Sequence, residues 1–273
     1  MIKSLLHRII SDYFIPNRIG QYEELLRTAL DEGYMVITHR DFVTALSAQA
    51  LPSQRILLVR HDIDTDPDYC LQWLAVEKKL GVRTSYFFRL TTAKSSIMKA
   101  VVASGSECGY HYEELADFAK AYRIKNRETI ESNTVAIQEA FVANVKHMET
   151  LAGTPMVSVV SHGDFVNRKL QMPNHEPIDA ALLRRCALEY EGYETRITER
   201  YSINISDHTY PAYFRGDISP MEAIRKHMPV VHLLVHPRHW RSSWYWNTRE
   251  NLTRLMEGMA YRFLPVKSIH RRS

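Results

Sequence analysis

Hydrophobic and polar positions alternate along the chain in two rhythms, one near 3.6 residues and one of continuous or period-two apolar runs. QYEELLRTALDEGY, beginning at Gln21, has the first rhythm and predicts a helix, followed by a short strand over 35–38. ILLVR (56–60) is continuously apolar up to its arginine, as expected of a strand buried on both faces. Asp66-Pro67 then reads as an N-cap with proline at the first helical position, opening a helix that stops at Gly81. TSYFFRL (84–90) predicts the next strand and 95–104 a short helix. Over 127–151, Ile130, Thr134, Ile137, Phe141, Val145 and Met148 recur at threes and fours, predicting one long helix that ends before Gly153. MVSVVS (156–161) and VVHLLV (230–235) read as strands, 178–190 and 247–261 as helices. Segment 191–218 shows no regular pattern. The alternation predicts an α/β fold with a mostly parallel sheet.

No repeat or Gly/Pro/Ser-rich linker divides the 273 residues, so a single domain over 1–273 is expected. Within it we expect a helical extension over 1–33, a catalytic core over 34–240 and a C-terminal helix over 241–273. With 45% hydrophobic and 24% charged residues, the chain can bury a large core without disulfides, which excludes disorder and disulfide scaffolds. Its three cysteines are widely spaced, which argues against a Cys-based zinc site and fits a reducing compartment. A net charge of +4, with only short basic runs at 123–127 and His270-Arg271-Arg272, argues against nucleic-acid binding. The opening segment lacks a continuous apolar core, and no stretch approaches the ~18 apolar residues of a membrane span. A cytoplasmic location is therefore expected. The oligomeric state is not legible.

The unusual figure is thirteen histidines. Three expected strands run into them: His61-Asp62-Ile63-Asp64, His162-Gly163-Asp164 and His236-Pro237-Arg238-His239-Trp240. Gly109-Tyr110-His111-Tyr112-Glu113-Glu114 forms a fourth cluster. Catalytic groups of α/β folds gather at the C-terminal ends of strands. Asp62 and Asp64 lie two apart, so in extended backbone both carboxylates face one way, suiting one as a hard metal ligand and the other as a proton acceptor. A calcium loop fails, because Pro67 and Trp73 occupy the positions of its glycine and its bidentate glutamate. His111, expected in a polar loop, reads either as a metal ligand or as a surface histidine paired with Glu113 or Glu114. Arg89 closes an apolar strand, where a guanidinium is expensive unless paired; it could hold a site carboxylate, a substrate oxygen or a structural partner. His236 is the site candidate on its strand, and His232 reads as a core histidine. Trp240, Trp244, Tyr245 and Trp246 could stack on sugar faces.

RHDID (60–64), LGVRTSYFF (80–88), GSECGYHYE (105–113), SHGD (161–164) and LLVHP (233–237), in this order, resemble the polysaccharide deacetylases of the NodB-homology type, carbohydrate esterase family 4. The resemblance is to the divergent bacterial branch found with surface-polysaccharide genes and covers about 34–240. It implies a distorted (β/α) barrel of about seven parallel strands and a divalent metal, usually zinc, on one aspartate and two histidines. It further implies a metal-dependent hydrolase that removes an N-acetyl group from a sugar, here on a glycan precursor. By the same resemblance Asp62 is the general base, Asp64 and His111 are metal ligands, His236 is the general acid and Asp207 its orienting carboxylate. The family's second ligand histidine would stand at position 115, which is Leu115, so the third ligand is sought in His162 or Glu113. Arg89, Glu113, Asp164 and Trp240 are the expected substrate contacts. The alternatives are a catalytically altered barrel that binds sugar in an assembly, or a metal hydrolase of another C–N bond.

Overall fold

The computed structural model describes residues 2–265; His270-Arg271-Arg272 lie outside them. Eight strands form one sheet with every pairing parallel: β1 (Met35–Ile37), β2 (Ile56–Ile63), β3 (Ser85–Phe88), β4 (Glu107–Tyr112), β5 (Ser158–Ser161), β6 (Tyr190–Glu191), β7 (Ile203–Ser206) and β8 (Val230–Val235). The order is β6-β5-β4-β3-β2-β8-β7, with β1 beside the first residues of β2. Seven strands thus follow one curled path, and among the described residues β6 and β7 do not pair. The architecture is the expected distorted (β/α) barrel, open at that seam.

Period two decides what faces inward. Along β2, Leu57, Val59 and Ile63 turn to the surrounding helices and join the main core, while Ile56 and Leu58 pack inside with Phe42 and Tyr190. Arg60 and Asp62 share that inner face; His61 turns outward, where Tyr22 and Glu77 hold its ring. On β8 the outer residues are Val231, Leu233 and Val235, leaving His232 and His236 inward. Each buried Leu, Val, Ile or Phe contributes roughly 1.5–3 kcal/mol relative to exposure.

The interior floor is polar. Glu107 on β4 accepts hydrogen bonds from Ser85 Oγ on β3 (2.6 Å), Ser158 Oγ on β5 (2.5 Å) and the Tyr190 hydroxyl on β6. His39 and His232 meet nearby with ring centroids 5.0 Å apart, and Tyr201 stacks on His232. His232 is thus the core histidine that its position suggests. Burial drives both imidazoles to the neutral form, His39 down to about 3.

Several local expectations are corrected. The 127–151 helix is two, Arg127–Glu131 and Thr134–Ala152, because Ser132 Oγ and Asn133 Nδ2 donate back to the carbonyls of Glu128 and Thr129 at the break. The 178–190 helix shortens to Ala180–Arg185, and its end becomes β6. Asp66 does not cap: it sits at φ 45°, its carboxylate accepts from Arg241 Nη2 (2.6 Å), and Pro67–Tyr69 is a 3-10 turn before the helix Cys70–Leu80. Gly81 ends that helix at φ 67° as expected. His111 is in no loop but inside β4, 2% exposed. From the N-terminal segment, Tyr22 of the helix Ile19–Asp31 belongs to the main core.

Candidate active site

The ends of β2, β4, β5, β7 and β8 bring the predicted residues to one cleft of about 760 Å³, lined by Asp62, Asp64, His111, His162, Asp207 and His236 among others. His111 faces inward because it is two residues along β4 from Gly109, which has no side chain at a place where a Cβ would lie 2.4 Å from the Phe87 ring.

Asp64, His111 and His162 converge. Asp64 Oδ1 is 3.3 Å from His111 Nε2 and 3.6 Å from His162 Nε2. The Val160 carbonyl accepts from His111 Nδ1 (3.0 Å), and His162 Nδ1 faces Glu113 Oε2 at 3.1 Å. His111 Nδ1 is thus engaged, His162 Nδ1 makes no hydrogen bond despite its approach to Glu113, and both Nε2 atoms approach a carboxylate oxygen that has no hydrogen-bond partner of its own. Three acceptors facing one another demand a proton or a cation between them. Two imidazoles and a carboxylate are a donor set suited to a zinc-like divalent ion, and imidazoles braced by a carbonyl or a carboxylate are the usual support. The side chains therefore fit a divalent metal. In the metal-free chain, the carboxylates of Asp64 and Glu113 more than offset burial and raise His162 to about 9.

Glu113 stands behind His162. Arg89 Nε and Nη2 donate to its two oxygens at 2.8 and 2.9 Å, a buried bidentate pair, and Arg89 Nη1 also reaches Glu250 at 3.4 Å. The paired-carboxylate alternative for Arg89 is the observed one. Leu115 lies away from the cleft, fully buried with Ala119, Ile124, Ile130, Ile137 and Val166.

Asp62 touches one of these histidines, His111 Nε2 at 3.5 Å, and is clamped by Arg60, whose Nη2 donates to Oδ2 at 2.9 Å and also to the Tyr193 hydroxyl at 2.8 Å. Its Oδ1 is buried without a partner. Across the cleft, Asp207 Oδ1 lies 2.7 Å from His236 Nδ1 and 2.8 Å from His239 Nδ1, while Oδ2 accepts from the His236 backbone N–H (2.7 Å) and the Trp240 indole (3.0 Å). The Asp207 carboxylate raises His236 to about 9 against the pull of burial, and the two imidazoles hold Asp207 well below the usual range.

Trp240, expected to touch substrate, is corrected: its ring is 1% exposed, lies outside the cleft lining, and braces Asp207 through its N–H. Asp164 caps the helix Phe165–Leu170 by accepting from Val166 N (2.8 Å) and borders a smaller recess of about 110 Å³ beside Arg89 and Glu113. Arg60 and His239 also belong to the site, beyond the residues expected there. An arginine closing an apolar strand was the available signal for Arg60, the same one that marked Arg89. His239, three residues past His236, had no separate signal.

No family model and no curated protein matches the chain. Similar solved structures include the Streptococcus pyogenes deacetylase PplD in complex with acetate, at 11% identity and TM-score 0.43 over 63% of this chain and 70% of that one. IcaB from Ammonifex degensii is similar at 13% identity and TM-score 0.44, over 62% and 73%. BA3943, a CE4 family pseudoenzyme from Bacillus anthracis, is similar at 12% identity and TM-score 0.40, over 80% and 64%. Likeness at this level carries no argument about activity, which stands on the side chains alone.

Proposed function

We propose that the chain is a metal-dependent hydrolase that removes an N-acetyl group from a sugar, on a precursor of a bacterial surface polysaccharide. The observation that supports this best is the opposition, across one cleft, of the Asp64–His111–His162 acceptors with Asp62 beside them and the Asp207–His236 pair. Asp64, His111 and His162 would hold the ion, with zinc as the metal. When bound, it would polarise the acetyl carbonyl and lower the pKa of a water molecule.

The remaining chemistry belongs to the chain's own groups. Asp62 takes the proton of the attacking water; Arg60 holds its Oδ2 and leaves Oδ1 without a partner of its own. His236 donates through Nδ1 to Asp207, whose carboxylate holds the ring as an imidazolium, so that Nε2 also carries a proton; it delivers that second proton to the departing amine, otherwise a poor leaving group. The C–N bond breaks as the amine leaves neutral, and acetate remains. Arg89 and Glu113 act through His162. Tyr193, 41% exposed at the rim, is placed to meet the sugar.

The test is metal analysis of purified protein followed by acetate release from N-acetylated sugars and glycan precursors. Wild-type protein should hold one zinc-like ion per chain and release acetate, while Asp62→Asn and His111→Ala should not turn over. A chain without stoichiometric metal, or one equally active after Asp62→Asn, sinks the proposal.

A further inference from the structure

A helix packed on a core normally turns its apolar side inward. The C-terminal helix Trp244–Phe263 does the reverse. Its inner side is largely polar: Asn247 Nδ2 donates to the Asp12 carbonyl (2.6 Å), Asn251 Nδ2 to Asp12 Oδ2 (3.0 Å), Glu250 accepts from Arg89 and Glu257 from Lys120. Its outer side carries Tyr245, Leu252, Leu255, Met256, Met259 and Phe263, each between 47% and 72% exposed. At 3.6 residues per turn these six fall in one arc of about 100°, along a helix about 30 Å long. The helix Ile2–Tyr13 lies alongside, joined by Arg8 to Asn251 and by the rings of Tyr13 and Trp244, and adds exposed Leu5, Leu6 and Ile9.

The charges at the edges of the arc identify its occupant. Arg249 stands at one edge and Arg262 at the other, both exposed, and among the described residues no carboxylate lies within ion-pair distance of either. Their guanidiniums rest over the Trp246 and Phe263 rings. The helix's own acids, Glu250 and Glu257, are engaged inward. A second copy pairing through this face would bring the same basic rim and no carboxylate on the arc to meet it. An apolar stripe edged by unpaired arginines is instead the pattern of a helix lying in a membrane interface. No described helix is long and apolar enough to cross a membrane, so the contact would be superficial.

We infer that this face docks on an anionic lipid surface, with the helix axis in the plane of the interface. His7 and Arg8 of one helix and Arg254 of the other line the cleft, so the two helices of the docking face also border the site. Resting on the hydrolase reading above, the substrate class is then a glycan precursor carried on a lipid. The docking itself does not rest on that reading.

The test is co-sedimentation of the full chain with phosphatidylcholine vesicles with and without phosphatidylglycerol, together with the emission shift of the tryptophans, of which Trp244 is the exposed one. Binding should require phosphatidylglycerol and weaken with salt. Arg249→Gln and Arg262→Gln should each weaken it about fivefold, the conversion of roughly 1 kcal/mol per basic residue. The Leu252→Glu/Met256→Glu double variant should abolish binding at unchanged melting temperature and unchanged metal content. Three results overturn the inference: a folded chain that ignores anionic vesicles, vesicle binding indifferent to the double variant, or a dimer that the double variant dissociates. Vesicle binding without acetate release would leave the docking standing and remove the hydrolase reading.

Discussion

Glu113→Gln distinguishes a metal ligand from a residue that acts through one. The carboxylate lies 3.1 Å from His162 Nδ1 and is held on its other side by Arg89. Glutamine keeps the shape and one acceptor oxygen but removes the charge. Loss of a carboxylate behind a metal-bound imidazole costs on the order of 10–100-fold in affinity, about 1.4–2.7 kcal/mol. Stability should also fall, because Arg89 is 6% exposed and breaking a buried pair costs roughly 3–5 kcal/mol; Glu250 at 3.4 Å retains part of the pairing, which puts the loss near about 3 kcal/mol. Competition titration of zinc against a chromophoric chelator would be run on wild type, Glu113→Gln, His162→Ala and the double variant, with melting in excess chelator measuring stability separately. We expect weakening by Glu113→Gln in the wild type, loss of tight binding by His162→Ala, and no further loss in the double variant. An equal penalty for Glu113→Gln with and without His162 would make Glu113 itself a ligand. Unchanged affinity in His162→Ala would refute the assignment of the third donor.

Asp207→Asn should shift the alkaline limb of kcat/KM from about 9 toward 6.5 or below, since a general acid acts only while protonated and Asp207 supports that proton; at pH 8 the loss would be roughly 30-fold, and an unmoved limb would remove His236 from that role. Leu115→His should not raise metal content, because the position is enclosed in an apolar cluster away from the cleft, and should cost roughly 1–3 kcal/mol in urea unfolding as an unpartnered polar group; a gain in zinc would contradict the placement. His39 is buried neutral with its pKa lowered to about 3, so the unfolded chain binds more protons between there and 6.5. Its stability contribution is complete above about pH 6.5 and lost as pH falls toward 3. His39→Gln should flatten that part of the stability profile, and an identical acid limb would refute the reasoning.

Much of the site was legible because period two and strand ends are local properties. Leu58, Arg60 and Asp62 fall on one face of β2 by counting, and His236 follows from the uninterrupted run before it. His111 was harder: β4 reads ECGYHY, with a glycine and no β-branched residue, and its strand is set by the parallel pairing with β3 and β5 on either side. Segment 191–218 hid β7 because that strand has four residues and only Ile205 is fully buried, so no apolar rhythm develops. Asp66-Pro67 misled because Arg241, 175 positions away, outcompetes the local backbone for the carboxylate. Pairings such as Asp207 with His236, His239 and Trp240 are set by the tertiary fold, and no spacing rule contains them.

The polar floor of the barrel has a consequence for how the sheet finds its alignment. Parallel pairing between distant segments is slow, and apolar strands tolerate sliding unless something penalises it. A one-residue slip would turn Ser85, Ser158 or Tyr190 to the helix-covered side and leave the Glu107 carboxyl deep in the interior without its donors. A buried carboxyl stripped of hydrogen bonds costs several kcal/mol, so β3, β4, β5 and β6 are locked to one another at one end. The opposite ends of the same strands carry Arg89, His111 and His162, which therefore reach the rim in step.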